Sequence, residues 1–172
     1  MAEIVSCSND ECQICSLNLR LIEDGAESVS WSDLWENECH IYVRTSANHS
    51  CIHGLRLDIQ GAAYRRISKG KDTRMCDFSV VAVLGNAAQL IVVELKSGVA
   101  YSDQIEQLAE GLRVLHEYFQ ENGLVARPEA YWVVGREVEK LSFSLRDKLT
   151  SLRFGSEVVL LHILECGTVL HL

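Results

Sequence analysis

Two apolar runs, separated by Gly85 and Asn86, constrain the fold of this chain more than any other feature of the sequence. The runs are CDFSVVAVL (76–84) and AAQLIVVELK (87–96), and their β-branched content is typical of strands. Glycine and asparagine tolerate the positive φ of a tight turn, so the segment predicts a β-hairpin. With the turn centred there, Leu84 faces Ala87, and counting back places Asp77 opposite Glu94.

Directly opposed carboxylates are unfavourable on a strand pair. Their Cβ atoms lie about 5 Å apart, and at an effective dielectric near 20 the repulsion is roughly 3 kcal/mol. A divalent cation removes this conflict, and oxygen ligands suit Mg²⁺ or Mn²⁺. Lys96 lies two residues beyond Glu94 on the same face, while Leu95 points to the other face. The pattern predicts a hard metal ion with an ammonium beside it.

These residues resemble the motif of the PD-(D/E)XK nuclease superfamily, with Asp77 followed by Glu94-Leu95-Lys96. The resemblance covers about residues 64–135. It implies that the acid pair binds Mg²⁺ or Mn²⁺, that the Leu95 carbonyl is a further ligand, and that Lys96 positions or activates the attacking water. Cys76 stands where the proline of the motif would precede the first acid.

The resemblance also implies a glutamine on the helix that follows the hairpin and an acid from an upstream element. Gln107 matches the glutamine, with Gln104 as the competing match one turn earlier. The upstream acid is open among Glu36, Glu38 and Asp58. An alternative interpretation needs no site, because strand-end charges and an exposed Glu94–Lys96 pair on an edge strand also discourage aggregation.

Length and composition predict one domain over residues 1–172, which the resemblance implies is nuclease-like, with an acidic helical N-terminal region (1–45) and an α/β core (55–166). Nearly half of the residues are apolar and only one is proline, which argues against extensive disorder. The longest apolar runs are interrupted by polar residues and are too short to span a bilayer, so no membrane partner is expected. The N-terminus lacks a basic secretion signal, and we expect a cytoplasmic protein.

Seven cysteines in such a chain predict reduced, mostly buried thiols. A zinc site is the alternative, because Cys12 and Cys15 have ligand spacing. The residues that could complete it are Cys39, His40, Cys51 and His53.

The charge of the chain is unevenly distributed. The net charge of −8 arises within residues 1–40, where Arg20 is the only base and the acids are Glu3, Asp10, Glu11, Glu23, Asp24, Glu27, Asp33, Glu36 and Glu38. A basic segment precedes the hairpin, and its Arg65, Lys69, Lys71 and Arg74 are predicted to contact phosphates. The alternative interpretation is that these basic residues belong to a solvent-exposed turn. The acidic region could bind a basic protein partner, cover the basic segment, or serve only solubility.

Periodicity predicts an α/β order of elements, and the resemblance implies a restriction-endonuclease-like fold with a central mixed sheet flanked by helices. The expected helices are 10–24, 33–44, 102–122 and 141–153. The expected strands are 55–60, 62–68, the two hairpin strands, 130–135 and 157–166. The first four of these strands would form an antiparallel meander. The last, EVVLLHILEC, would be covered on both faces, with His162 as a core histidine.

The sequence therefore predicts a metal-dependent nuclease, with DNA favoured over RNA. The catalytic residues would be Asp77, Glu94, Lys96 and Gln107. Such a small protein would draw its specificity from a protein partner or from self-association, in DNA repair, restriction or defence against mobile elements. The alternative is a catalytically inactive module on the same fold that docks a partner through its acidic N-terminal region.

Overall fold

The computed structural model describes residues 13–45, 51–60, 62–63, 74–84, 87–97, 102–135, 151–154 and 156–172. These residues contain two α-helices and ten β-strands. The elements are α1 (Gln13–Glu23), β1 (Glu27–Val29), β2 (Asp33–Glu36), β3 (Cys39–Arg44), β4 (Cys51–Arg56), β5 (Phe78–Leu84), β6 (Ala87–Lys96), α2 (Ser102–Glu121), β7 (Ala126–Val134), β8 (Ser151–Phe154), β9 (Glu157–Glu165) and β10 (Val169–His171).

Seven of the strands form a mixed sheet in the order β1-β4-β5-β6-β7-β9-β8. β6, β7 and β9 are parallel neighbours, and the other neighbouring pairs are antiparallel. Helix α2 is the crossover connection that parallel β6 and β7 require. A smaller sheet has the order β10-β3-β2. The expected α/β architecture with a central mixed sheet is confirmed.

The central strands of the large sheet are buried on both faces. Val92 and Trp132 on one face pack with both helices, while Val93 and Val133 on the other face pack with the small sheet. Successive side chains of a strand point to opposite faces, which explains why β6 reads as an almost continuous apolar run. The molecule has three layers, with helices on one side of the large sheet and three strands on the other.

The predicted hairpin is confirmed in its register. Leu84 pairs with Ala87, and Phe78 pairs with Val93. The turn residues Gly85 and Asn86 lie outside the described residues.

The two helices end at glycines with positive φ, at which a side chain would be strained. Gly25 follows α1 with a φ of 112°, and Gly123 follows α2 with a φ of 71°. Within α2, Gly111 lies against Cys76 so closely that a Cβ would overlap the sulfur. Neither helix of the described chain is long and apolar enough to cross a membrane.

The predicted helix at 33–44 is wrong, because this segment forms the hairpin β2–β3. Asn37 adopts a φ of 54° in the turn. In β3 the buried residues alternate with partly exposed ones, the period of a strand rather than of a helix. β10 pairs with β3 in parallel, and this long-range pairing outweighs the local helical pattern.

Four further expectations require correction. The strand expected at 55–60 is β4, which ends at Arg56. Residues 62–63 are not in a strand, and the rest of the expected 62–68 strand lies outside the described residues, as do 141–150 of the last expected helix. Residues 151–153 belong to strand β8 instead of that helix. β9 is a strand, but Val158 and Leu160 are exposed, so it is not covered on both faces.

Candidate active site

Asp77 and Glu94 lie beside each other on adjacent strands, one position beyond the Phe78–Val93 pair. The Asp77 N–H donates to Oε2 of Glu94 at 3.2 Å, and the Leu95 N–H donates to Oδ2 of Asp77 at 2.7 Å. The side chains are buried, with 2% and 0% exposure. Each carboxylate is therefore fixed by the backbone of the opposite strand, and the register brings together the two acids that the sequence singles out.

Lys96 lies on the same face, with Nζ 3.0 Å from Oε1 of Glu94. This buried Oε1 forms an ion pair with the Lys96 ammonium and has no other hydrogen-bond partner among the described residues. The Lys96 carbonyl accepts a hydrogen bond from the Gly135 N–H at 2.8 Å, which anchors this end of β6 to the chain after β7. A buried anionic oxygen with no hydrogen-bond partner besides this ammonium fits a hard cation ligand.

The electrostatics of the pair reflect its burial. Burial, followed by the charge of Asp77, raises the pKa of Glu94 to about 8. Burial also raises the pKa of Asp77 to about 6, against the lowering effects of the Leu95 amide and of Lys96. Burial alone would lower the pKa of Lys96, but the two carboxylates outweigh it and the pKa is raised. Lys96 is therefore an ammonium at neutral pH, and the acid pair retains protons that a cation would displace.

The interpretation of these charges as an exposed edge-strand pair is wrong. β6 lies between β5 and β7, so Glu94 is on an interior strand of the sheet. A buried, opposed acid pair gives no protection against aggregation, and in a purely structural role it is a net cost.

Two of the three candidate upstream acids influence the pair electrostatically. The charges of Glu36, at the end of β2, and of Asp58, after β4, both raise the pKa of Asp77. Glu36 also forms a 3.2 Å ion pair with Arg56. The sequence left Glu36, Glu38 and Asp58 open as the upstream acid. The charges that act on Asp77 favour Glu36 and Asp58 for this role.

The glutamines of α2 are placed differently from each other. Gln104 is buried and accepts a hydrogen bond from Nε1 of Trp132 at 2.8 Å. Gln107 lines a surface pocket with Arg74 and three acids of α2. Among the described contacts, no hydrogen bond joins Gln107 to Lys96.

Only one predicted phosphate-binding residue lies in the described part of the chain. Arg65, Lys69 and Lys71 lie outside it. The side chain of Arg74 is 72% exposed and lies 3.5 Å from the carboxylate of Asp103. Glu106 and Glu110 line the same pocket, so acids surround the described end of the basic segment.

A groove of about 650 Å³ lies between β1, β2 and the ends of β4 and β5, and sequence reasoning missed it. Trp35 is 63% exposed and lines this groove with Glu36, Arg56 and Phe78. The Arg56 guanidinium lies over the Phe78 ring, 5.8 Å from its centroid, and Phe78 directly follows Asp77. The strand period of β2 buries Leu34 and places Trp35 outward.

The cysteines depart from the expected reduced thiols. Cys39 and Cys166 form a disulfide, which contradicts free thiols at these two positions and removes Cys39 from the possible zinc ligands. Cys15, Cys51 and His53 lie together, whereas Cys12 lies outside the described residues. Burial lowers the pKa of His53, so its imidazole is neutral at physiological pH.

Comparison of the chain with family models, with curated proteins and with solved structures gives no match. The function of the protein is therefore inferred from the geometry of the site.

Proposed function

We propose that the protein is a Mg²⁺- or Mn²⁺-dependent nuclease that hydrolyses phosphodiester bonds, preferentially in DNA. The observation that carries this proposal is the buried Asp77–Glu94 pair, in which Oε1 of Glu94 lies 3.0 Å from the Lys96 ammonium. The order hairpin, α2, parallel β7 supports a restriction-endonuclease-like fold, because it sets the acids and the lysine at one end of adjoining strands.

The donor set fits a hard cation. Asp77 and Glu94 would hold the ion through carboxylate oxygens, and the carbonyl of Leu95 is the further ligand that the resemblance implies. Mg²⁺ takes only one or two protein carboxylates and keeps positions for water and phosphate oxygens. A bound ion supplies Lewis acidity and lowers the pKa of its water.

Lys96 would contribute a fixed positive charge. Because its pKa is raised by the two carboxylates, it donates hydrogen bonds and does not accept a proton while the acids are charged. It would orient the attacking water and stabilise the charge that develops on the phosphate oxygens. Gln107, on the surface of α2, would contact substrate phosphate rather than hold Lys96.

The groove lined by Trp35, Arg56 and Phe78 would bind the nucleic acid, since Phe78 directly follows Asp77. Trp35 offers an exposed aromatic face, and stacking on such a face accepts any base. Arg56 carries the positive charge of the groove, although Glu36 partly neutralises it. The predicted basic segment, or a protein partner or second copy, would supply the remaining phosphate contacts that a chain with net charge −8 needs.

A cleavage assay tests the proposal. The purified chain should cut plasmid or single-stranded DNA in Mn²⁺ and be inactive in a chelator. Asp77→Asn should abolish cutting, while Glu121→Gln, at an exposed acid near the end of α2, should not affect it. Circular dichroism should show that both variants are folded. RNA is the matched substrate that tests the preference for DNA.

The alternative, an inactive module that docks a protein partner, is favoured by one observation. A backbone amide already satisfies one oxygen of each acid, so the pair has a structural role without chemistry. If the chain binds Mn²⁺ at the acids but cuts neither DNA nor RNA with any divalent metal, the docking function replaces the nuclease.

A further inference from the structure

A second polar cluster joins α1 to β4, away from the acid pair. The Cys15 Sγ lies 3.1 Å from the Cys51 Sγ and 3.3 Å from the His53 Nε2. All three ligand atoms lie within 4.8 Å of one another. The cysteines are 36 residues apart in the chain, so tertiary packing, and no short motif, brings these donors together.

Local geometry explains the convergence. Cys51 and His53 are two residues apart on β4, so their side chains lie on the same face of the strand. That face also carries Leu55, which is buried in one cluster with Leu17 of α1. The apolar contact docks the helix, and Cys15, in the first turn of α1, meets the two donors of the strand.

The donor types select a class of metal. Thiolate and imidazole ligands suit Zn²⁺, with metal–ligand distances of about 2.0–2.3 Å. Ligand atoms around a tetrahedral ion of that size lie roughly 3.3–3.8 Å apart. The observed separations of 3.1 and 3.3 Å are close to this range, so small side-chain movements would admit the ion. Cys51 is buried, whereas Cys15 and His53 are partly exposed, which leaves a route for the metal and for a fourth ligand.

We propose that Cys15, Cys51 and His53 bind one zinc ion, which fastens α1 to the large sheet. The site is independent of the nuclease proposal. His53 pairs with Val81, four residues from Asp77, so the clusters are separated by roughly 13 Å along the strand. Zinc here would stabilise the fold without entering the acid pair.

Cobalt titration of the full chain tests this site directly. The protein is reduced, stripped with a chelator, and titrated with Co²⁺ alone. We expect thiolate-to-cobalt charge transfer in the near ultraviolet and visible bands of tetrahedral cobalt, both saturating at one ion per chain. Zn²⁺ should then displace the cobalt and raise the thermal unfolding midpoint.

Two variants and a control locate the ion. Cys51→Ser and His53→Asn should each remove or strongly weaken the cobalt spectrum, whereas Cys166→Ser under the same reducing conditions should retain it. Circular dichroism should confirm that the variants are folded. The proposal is overturned if the folded, reduced wild-type chain gives no thiolate–cobalt bands. It is also overturned if the bands survive in both ligand variants, or if peptide mapping finds a Cys15–Cys51 disulfide and the reduced form binds no metal.

Discussion

The two polar clusters of this protein lie on the same face of the large sheet but differ in donor chemistry. Asp77 and Glu94 offer oxygen ligands, are almost fully buried, and are fixed by the backbone of adjoining strands. Cys15, Cys51 and His53 offer sulfur and nitrogen from a helix and a strand. Under the two proposals, this difference selects two kinds of metal: a hard ion for chemistry at the acids and a borderline-soft ion for stability at the Cys–His cluster.

The clusters also differ in their neighbouring charges. Lys96 lies 3.0 Å from Glu94, and the charge of Glu36, which lines the groove with Arg56 and Trp35, acts on Asp77. The Cys–His cluster packs against apolar residues of α1 and β4. A cation at the acid pair, with charged side chains nearby, would suit phosphate chemistry. A cation at the Cys–His cluster, between apolar residues of α1 and β4, would suit a structural role.

The largest expected effect is on catalysis at the Asp77–Glu94 pair. Lys96→Ala should reduce the single-turnover rate of DNA cleavage by about 100- to 1,000-fold, because it removes one fixed donor to the developing charge. Arg127→Ala, at an exposed cation near the start of β7, is the control and should retain the wild-type rate. A Lys96→Ala rate within fivefold of wild type would exclude this role for the lysine.

The next largest effect concerns how α2 supports the acids. Gly111→Val would force the helix away from Cys76 and should lower the free energy of unfolding by about 3 kcal/mol, as overpacking does. Urea denaturation measures this loss. Mn²⁺ binding should weaken, while cobalt binding at the Cys–His cluster persists. Unchanged stability would show that the contact between α2 and Cys76 is not tight in solution.

The pH dependence of stability should distinguish the acids from the rest of the molecule. Because burial raises the pKa of Glu94 from 4.5 to about 8, the folded state binds more protons than the unfolded state between these values, and stability falls as pH rises. In metal-free protein, Glu94→Gln should match wild type near pH 5 and be on the order of 2 kcal/mol more stable near pH 8.

Thermal unfolding at a series of pH values measures this difference. Glu121→Gln should have the same unfolding midpoint as wild type at every pH. Mn²⁺ at pH 8 should raise the midpoint of the wild-type protein but leave that of Glu94→Gln unchanged. If the difference in unfolding midpoint between wild type and Glu94→Gln were the same at every pH, the raised pKa of Glu94 would be contradicted.

The smallest expected effect is on substrate affinity in the groove. Trp35→Ala should raise KM about tenfold with kcat within twofold, because base stacking is worth about 1–3 kcal/mol per base. Arg74→Ala should raise KM less, since acids surround Arg74. Steady-state cleavage of a labelled oligonucleotide measures both. Equal effects from the two variants would argue against the groove as the substrate path.

The Asp77–Glu94 pair could be predicted from the sequence because its geometry is set by one hairpin. Leu84 and Ala87 fix a hairpin register, and a period of two then places Asp77 opposite Glu94. The helix α2 was predictable from its apolar period and from Gly123.

The remaining features depend on contacts between distant segments. Residues 33–44 carry apolar positions at both helical and strand spacing, and pairing with the C-terminal strand β10 decides in favour of strands. The same pairing exposes Trp35. The sequence names the cysteines and histidines that could bind zinc, but only the packing of α1 on β4 shows that Cys15, Cys51 and His53 converge and that Cys39 pairs with Cys166.

Calorimetric titration of the metal-free chain with Mn²⁺ tests most directly whether one hard cation binds between the two acids. We expect one ion per chain, with binding lost in Asp77→Asn and in Glu94→Gln and retained in Cys51→Ser and Glu121→Gln. If the wild type did not bind Mn²⁺, or if both acid variants bound it as tightly as the wild type, a hard cation site between the two acids would be contradicted.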